Sequence, residues 1–374
     1  MKEDYFDKAI SFVPLYKGLK MSCRNVRWKD SVVGYEHNGL RNTYLLEKSL
    51  KDGSYKISKY QKFEIHEPKQ RIILASRIQD RQFQRSLCEC GLYEDITEHF
   101  IYDNCACQRG KGTDFALKRM KTHLSRFYRK HGTDGFVLKC DIHHYFPETD
   151  HEVAKAAVRK YVSDKRAAQA VCDVIDSFGG TKGIGLGSQI SQLVQLLVLN
   201  DLDHYIKEKL RIKHYIRYMD DFILIHESKE YLRHCLNVIN AKLKALKLTL
   251  NEKTSLFPLR QGLKFLKWKY ILTDTGRVLM LIDTAKVRRQ KKRMVKLYGR
   301  EREKRAVLFA TEDSLRSFIA NCKRGDAYRV ITYMKYFYRE FTGENYHAQK
   351  LSRAEIRRAE KCRNQGSARR KRRA

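Results

Sequence analysis

The feature that most restricts the fold is the run Tyr215 to Ile225, YIRYMDDFILI, an apolar stretch broken at its middle by Met219, Asp220 and Asp221. Apolar neighbours on both sides force this segment into a core, and its aromatic and β-branched residues suit strands. The acids then have to sit where the chain reverses, so the run reads as a tight hairpin with Asp220 and Asp221 at its crest. Side chains alternate along a strand, so adjacent acids face opposite ways. One of them, most simply Asp220, is then placed to meet an acid from elsewhere, with Asp221 more peripheral.

The best candidate for that other acid is Asp141, which ends the apolar segment Gly135 to Ile142, GFVLKCDI, itself a buried strand by pattern. Carboxylates brought together repel and hold protons unless a cation neutralises them. Oxygen-only ligands favour Mg2+, which keeps waters and takes its other ligands from substrate phosphates. Two such ions activate an attacking 3′-hydroxyl and stabilise a departing pyrophosphate. A structural turn carrying surface acids is the alternative.

Charge narrows the partner. The chain carries 77 Lys and Arg against 43 Asp and Glu, a formal net charge of +34. Such an excess repels itself and attracts polyanions, so nucleic acid is the expected ligand and salt should weaken its binding. A membrane-surface role is the alternative, but the sequence shows no amphipathic anchor or lipidation signal. No apolar run approaches the roughly 20 residues that cross a bilayer. The N-terminal MKEDYFDKAI carries acids where an export signal would be basic, so a soluble, cytoplasmic protein without a membrane partner is expected. The 374 residues suffice for two or three domains. Ten cysteines in such a chain do not read as a disulfide framework. Cys88-x-Cys90 and Cys105-x-Cys107 are spaced more tightly than structural zinc ligands usually are, so small buried hydrophobes are the expected role.

The rest of the chain supplies further landmarks. Tyr60 to Leu74 alternates like paired strands, and QRGKGT (Gln108 to Thr113) opens a long helix through Lys130. Helical segments run from His151 to Phe178, and the glycine-dense loop Gly179 to Gly187 feeds a helix from Ser188 to Leu210. After a helix from Lys229 to Leu246 come short strands at Leu248 to Leu250 and Thr254 to Phe257. A second hairpin, Leu263 to Leu272 with Val278 to Ile282, turns at Asp274-Thr275-Gly276. Beyond Ala285 the pattern is helical and basic, with 11 Lys or Arg against 2 Glu between Lys286 and Arg305. The tail from Ser352 repeats this excess, 10 against 2.

Taken in order, these strings resemble reverse transcriptases. Tyr218-Met219-Asp220-Asp221 resembles the catalytic box, and Asp141 with the following IHHYF resembles the first palm box. EPKQRI with DRQFQ, CACQRGKGT, LGSQISQ, LTLNEKT and FLKW fall in family order across nearly the whole chain. The resemblance implies an α+β chain with a right-hand polymerase fold: fingers, an antiparallel-sheet palm and a helical thumb. It divides the chain into an N-terminal extension and fingers (1–134), a palm with finger elements and the primer-grip hairpin (135–284), a thumb (285–351) and a basic tail (352–374). Most of the family carries QGxxxSP where this chain has Leu186-Gly187-Ser188-Gln189-Ile190-Ser191-Gln192. The LGxxxSQ form is similar to the reverse transcriptases of diversity-generating retroelements. Those enzymes copy a template-repeat RNA into cDNA with errors opposite template adenines, and work with a small basic accessory variability protein, an oligomer, in a bacterial or phage-infected cell. A retron, abortive-infection or group II intron-like enzyme, or a non-catalytic RNA-binding relative, remains the alternative.

The same resemblance assigns roles. Asp141 and Asp220 bind two Mg2+ ions, with Mn2+ the other candidate, Asp221 supports them, and the Ile142 carbonyl completes one site. Lys253 is the counterpart of a lysine that protonates pyrophosphate; a solvated surface lysine is the plainer role. Lys69 and Arg71 clamp the triphosphate of the incoming dNTP, with Arg81 a third candidate or a partner of a local acid. Phe146 is a steric gate against a ribose 2′-hydroxyl, or simply a core aromatic. Leu186, Gly187 and Gln192 belong to the nucleotide pocket. A leucine cannot make the hydrogen bond a glutamine makes there, which weakens discrimination between right and wrong pairs. Phe265, Leu266, Lys267 and Trp268 resemble the primer grip. Lys111, flanked by Gly110 and Gly112, is placed to approach a phosphate at a helix start. Arg288 and Arg289 belong to a thumb that tracks the RNA–cDNA duplex through its backbone. Arg217 reads as another exposed charge.

Overall fold

The computed structural model describes residues 4–66, 70–299 and 304–346. Lys69 and the basic tail lie outside the described residues. The chain divides into two compact units, Met1–His123 with Gly135–Phe257, and Leu124–Asp134 with Pro258–Ala374. The class is α+β with antiparallel sheets, as the sequence implied.

The first unit opens with a helical layer. Helices Phe12–Ser22 and Ile78–Leu87 lie close because Gly18 has no side chain; a Cβ there would stand 2.6 Å from the Gln82 carbonyl. Gln82 is buried between them and stitches the layer, donating to Leu15 O at 3.2 Å and Thr43 Oγ1 at 2.9 Å. An exposed ribbon follows, β1 (Gln61–Ile65) paired with β2 (Arg71–Ala75).

The sheet that carries the acids contains β3 (Phe136–Asp141), β4 (His214–Tyr218), β5 (Asp221–His226) and β6 (Ser255–Pro258), in the order β4-β5-β3-β6. Leu138, Cys140, Tyr215, Phe222 and Leu224 alternate onto one face and join the main core. That core includes residues of helices His151–Tyr161, Lys165–Asp176, Gln189–Val198 and Lys229–Ala245. Several helices begin with side-chain caps: Asp150 accepts from Val153 N at 3.2 Å, and Ser228 Oγ from Tyr231 N at 3.0 Å. The helix expected over Ser188 to Leu210 is instead segmented, with Gln189–Val198 and Asn200–His204 followed by a wider turn, Tyr205–Lys209. Buried Asp203 sits in this segmented stretch. Of the strand expected at Leu248 to Leu250, only Leu250 bridges to Ile142.

The second unit holds a three-stranded sheet of β7 (Leu263–Phe265), β8 (Trp268–Leu272) and β9 (Val278–Ile282). Its helices are Thr284–Tyr298, Lys304–Cys322 and Tyr328–Thr342. The first hairpin turns at Leu266 and Lys267, with φ of 47° and 69°, the type I′ pattern. Sheet and helices are sewn together: Asp326 N donates to Met280 O, and Met280 N to Asp326 Oδ2, both at 2.8 Å. Gly325 allows this approach, since a Cβ there would lie 2.6 Å from the Trp268 ring. The division at 257/258 places β7, β8 and β9 in this second unit. Among the described residues no helix is long and apolar enough to cross a membrane.

Candidate active site

β3 and β5 are antiparallel neighbours whose register sets Asp141 directly opposite Asp221. On the other side, Tyr218 pairs with Asp221, so the hairpin loop is Met219 and Asp220 alone. Met219 has φ 58° and is the only one of the two in the left-handed region, a II′ pattern in which glycine is usual. A larger residue held there costs of order 1–3 kcal/mol, which the surroundings must offset. Main-chain bonds gather the site. Ile142 N donates to Asp220 O at 3.2 Å, Asn251 N to Asp141 O at 2.7 Å, and His143 N to Thr249 O at 2.9 Å. The end of β3, the hairpin crest and the LTLNEKT segment thus converge.

This register corrects one expectation. Asp221 is not the peripheral acid; it faces Asp141 across the ladder, because alternation applies to strand residues and Asp220 lies in the turn. Lys139, two positions before Asp141 on the same strand face, reaches the pair, with Nζ 3.5 Å from Asp221 Oδ2. Burial pushes the Asp221 carboxyl up to about 6; Lys139 opposes this, and the charges of Asp141 and Asp220 add to it. Asp221 Oδ1 is buried with no hydrogen-bond partner. An orphaned carboxylate oxygen among three acids suits a hard divalent cation, which neutralises them and supplies the missing ligand contact. Sequence reasoning missed Lys139, although the strand period that placed Asp141 was enough to find it.

Arg217 is the second correction. It is not an exposed charge: it and Asp203 are both fully buried, with Arg217 Nε 2.7 Å from Asp203 Oδ1. Alternation puts Arg217 on the same face as Tyr215, whose hydroxyl donates to Asp203 at 2.6 Å. The Asp103 to Thr113 segment, which contains CACQRGKGT, lines the outer edge of β4, where Arg217 N donates to Asp103 O at 3.0 Å and Cys105 N to Arg217 O at 2.9 Å. Further along it, Thr113 Oγ1 lies 3.3 Å from the Tyr218 hydroxyl and Cys107 Sγ 4.0 Å from Met219 Sδ. Lys111 is turned inward, its ammonium donating to the carbonyls of Tyr102 at 3.0 Å and Asn104 at 3.1 Å. Burial holds its pKa below the ordinary lysine value. Cys88 and Cys105 are buried, and the four paired-motif thiols form no metal-ligating group among the described residues.

A second line of main-chain bonds joins the nucleotide-pocket candidates. Leu74 N donates to Leu186 O at 3.3 Å, and Ile184 N to Phe146 O at 2.9 Å, tying β2 to the 184–187 loop and to the turn after Asp141. Gly187 (φ 128°) is needed at this crossing, because a Cβ would stand 3.3 Å from Leu74 O. Phe146 and Leu186 are half-buried, Arg71 and Gln192 are exposed, and Arg81 is half-buried on its helix. Lys253 is exposed in the turn after Asn251, whose Oδ1 accepts from Lys253 N at 3.1 Å. In the second unit Phe265 and Trp268 are buried, Leu266 is half-buried, and Lys267, Arg288 and Arg289 are exposed.

Known proteins give this geometry a family. The pattern of the family described as reverse transcriptase (RNA-dependent DNA polymerase) matches residues 65–270, more than half the chain and all three acids. No curated protein matches in sequence. Among solved structures, telomerase from Candida albicans in complex with a TWJ fragment of telomeric RNA is similar at 10% identity and TM-score 0.47, covering 82% of this chain and 65% of that one. Apo telomerase from Candida tropicalis is similar at 11% identity and TM-score 0.49, with 77% and 62% covered. This chain therefore spans less than two thirds of the length of those telomerases. On the matched segment, which runs from β1 through the acidic hairpin to β8, the chain belongs to the reverse transcriptase family.

Proposed function

We propose that this chain is an RNA-directed DNA polymerase that extends a primer on template RNA by two-metal nucleotidyl transfer. The observation that carries the reading is the ladder pairing of Asp141 with Asp221 beside Asp220, with one Asp221 oxygen buried and unpartnered. Asp141, Asp220, Asp221 and the Ile142 carbonyl would hold two divalent ions, Mg2+ or Mn2+. Those ions would supply Lewis acidity at the attacking hydroxyl and at the leaving oxygens.

The chain's own residues do the rest. Lys139 limits the repulsion among the acids. Arg71, with Lys69 and Arg81, orients the triphosphate through charge-assisted hydrogen bonds. Phe146 fills the space of a 2′-hydroxyl, and Leu186, Gly187 and Gln192 bound the pocket beside it. Lys253 delivers a proton to a pyrophosphate oxygen. Phe265, Leu266, Lys267 and Trp268 grip the primer, while Arg288 and Arg289 follow the RNA–cDNA duplex through its phosphates. Lys111 contributes to nucleic-acid binding only if its ammonium leaves the two carbonyls it now holds.

Within the family we assign the chain to diversity-generating retroelements, acting in the cytoplasm of a bacterial or phage-infected cell with a small basic accessory variability protein. The support is the Leu186 to Gln192 string, LGSQISQ, where a leucine replaces a glutamine amide. Primer extension on an RNA template, wild type against Asp220→Ala, tests the activity. Wild type should extend and the variant should not; an inert wild type, or an active variant, refutes the polymerase reading. Sequencing the cDNA tests the subfamily: errors should concentrate opposite template adenine, and an even error spectrum refutes that assignment.

A further inference from the structure

Arg217 and Asp203 form a fully buried ion pair that the chemistry above does not use. Every nitrogen of the guanidinium is engaged. Nε donates to Asp203 Oδ1 at 2.7 Å and Oδ2 at 2.9 Å, and Nη2 to Asp203 Oδ2 at 2.5 Å and Leu196 O at 3.0 Å. Nη1 donates to the main-chain carbonyl of Met219 at 3.1 Å. Met219 is the left-handed residue of the hairpin loop. The next carbonyl, that of Asp220, accepts from Ile142 N at 3.2 Å. Two successive peptide groups at the crest are thus each held by a separate donor.

Stability alone is a weak account of this arrangement. A buried ion pair is often no better for stability than a packed apolar pair of the same volume, whereas losing one partner is severe. What an apolar pair cannot do is reach a specific carbonyl. A lysine could keep the charge, but its compact ammonium cannot serve Asp203, Leu196 and Met219 together as the planar fork does. The strand that carries Arg217 is itself held at its edge by the Asp103 segment, whose carboxylate takes His123 at 2.9 Å and Lys207 at 3.2 Å.

We propose that Arg217, set by Asp203, is a positioning residue for the reaction: by holding the Met219 carbonyl it fixes the turn from which Asp220 and Asp221 project. The proposal rests on the reading of those acids as catalytic.

The decisive variant removes the polar cluster together, Arg217→Met/Asp203→Leu/Tyr215→Phe, so that no buried charge is orphaned. Thermal melting, Mn2+ affinity by electron paramagnetic resonance, and kcat and KM for dNTP are then measured. The variant should melt close to wild type yet bind Mn2+ about tenfold more weakly and lose about a hundredfold in kcat, as sub-ångström to ångström misplacement does. With metal saturating, kcat should fall by more than KM for dNTP rises. A folded variant with kcat and Mn2+ affinity at wild-type levels overturns the proposal. Should the triple variant fail to fold, Arg217→Lys decides: it keeps the ion pair, and a fall in kcat of about tenfold supports the proposal while an unchanged kcat overturns it. Asp220→Ala in parallel separates the two ideas, because an active Asp220→Ala would refute the catalytic reading itself.

Discussion

The charge on Asp221 should destabilise the folded protein, and removing it should show this. Its carboxyl is raised from an ordinary value of 3.8 to about 6, chiefly by burial and further by Asp141 and Asp220. At about 1.36 kcal/mol per unit, the charged form is penalised by roughly 3 kcal/mol at neutral pH. The sign follows from proton uptake. Between pH 4 and 6 the folded state holds a proton that the unfolded state has released, so stability falls as pH rises through that window. Above it the whole penalty is present.

Asp221→Asn keeps the shape and removes the charge, while Lys139, 3.5 Å away, loses this ion pair. The net gain in metal-free protein at pH 7.5 should be about 1–2 kcal/mol, or roughly 1–3 °C in melting temperature. The assay is thermal unfolding of wild type and variant in EDTA from pH 4.5 to 7.5. The gap should be smallest at the acid end and widen as pH rises. Saturating Mn2+ should reverse the order, since a ligand at a hundred times its Kd stabilises wild type by about 2.7 kcal/mol and the variant by less. A gap independent of pH, or a variant less stable than wild type in EDTA at pH 7.5, would refute the electrostatic reasoning.

Two further outcomes concern selectivity. Leu186→Gln restores an amide to the loop that Leu74 N anchors, and errors opposite template adenine should fall by about tenfold in sequenced cDNA; an unchanged spectrum removes leucine from the explanation. Phe146→Val removes the ring proposed to stand against a 2′-hydroxyl, so ribonucleotide incorporation relative to deoxynucleotide should rise by at least about tenfold, and an unaltered ratio in a competition assay would make Phe146 a core aromatic only.

The hairpin at Tyr215 to Ile225 was legible because apolar flanks fix both strands and the acids mark the reversal. Which acid faces Asp141 was not, because apolar runs do not report whether the loop has two residues or three, and one residue of difference exchanges the faces. Arg217 was misjudged for a related reason. Strand alternation put it on the core side, but the partner that makes burial tolerable is Asp203, in a segmented helix that the sequence presented as continuous. Within the second unit, Asp326 reaches Met280, a contact across 46 positions without a local signal. The Leu266–Lys267 turn likewise lacks the glycine or asparagine that usually announces positive φ.

The site's construction reconciles two demands that conflict. Acids close enough to share cations repel, so side-chain bonds strong enough to hold them would also occupy the oxygens that cations need. Here the bonds that set the acids in place act on the main chain instead: Asn251 N on Asp141 O, Ile142 N on Asp220 O, and Arg217 on Met219 O. Lys139 touches a carboxylate of the ladder pair as a cation, and at 3.5 Å it tempers Asp221 without satisfying Oδ1. On the proposed two-metal reading, positioning by backbone and neutralisation by an exchangeable ion are separable, which is why an apolar replacement of the Arg217 cluster should impair catalysis while leaving the fold, and a charge-free Asp221 should strengthen the metal-free fold while weakening ion binding.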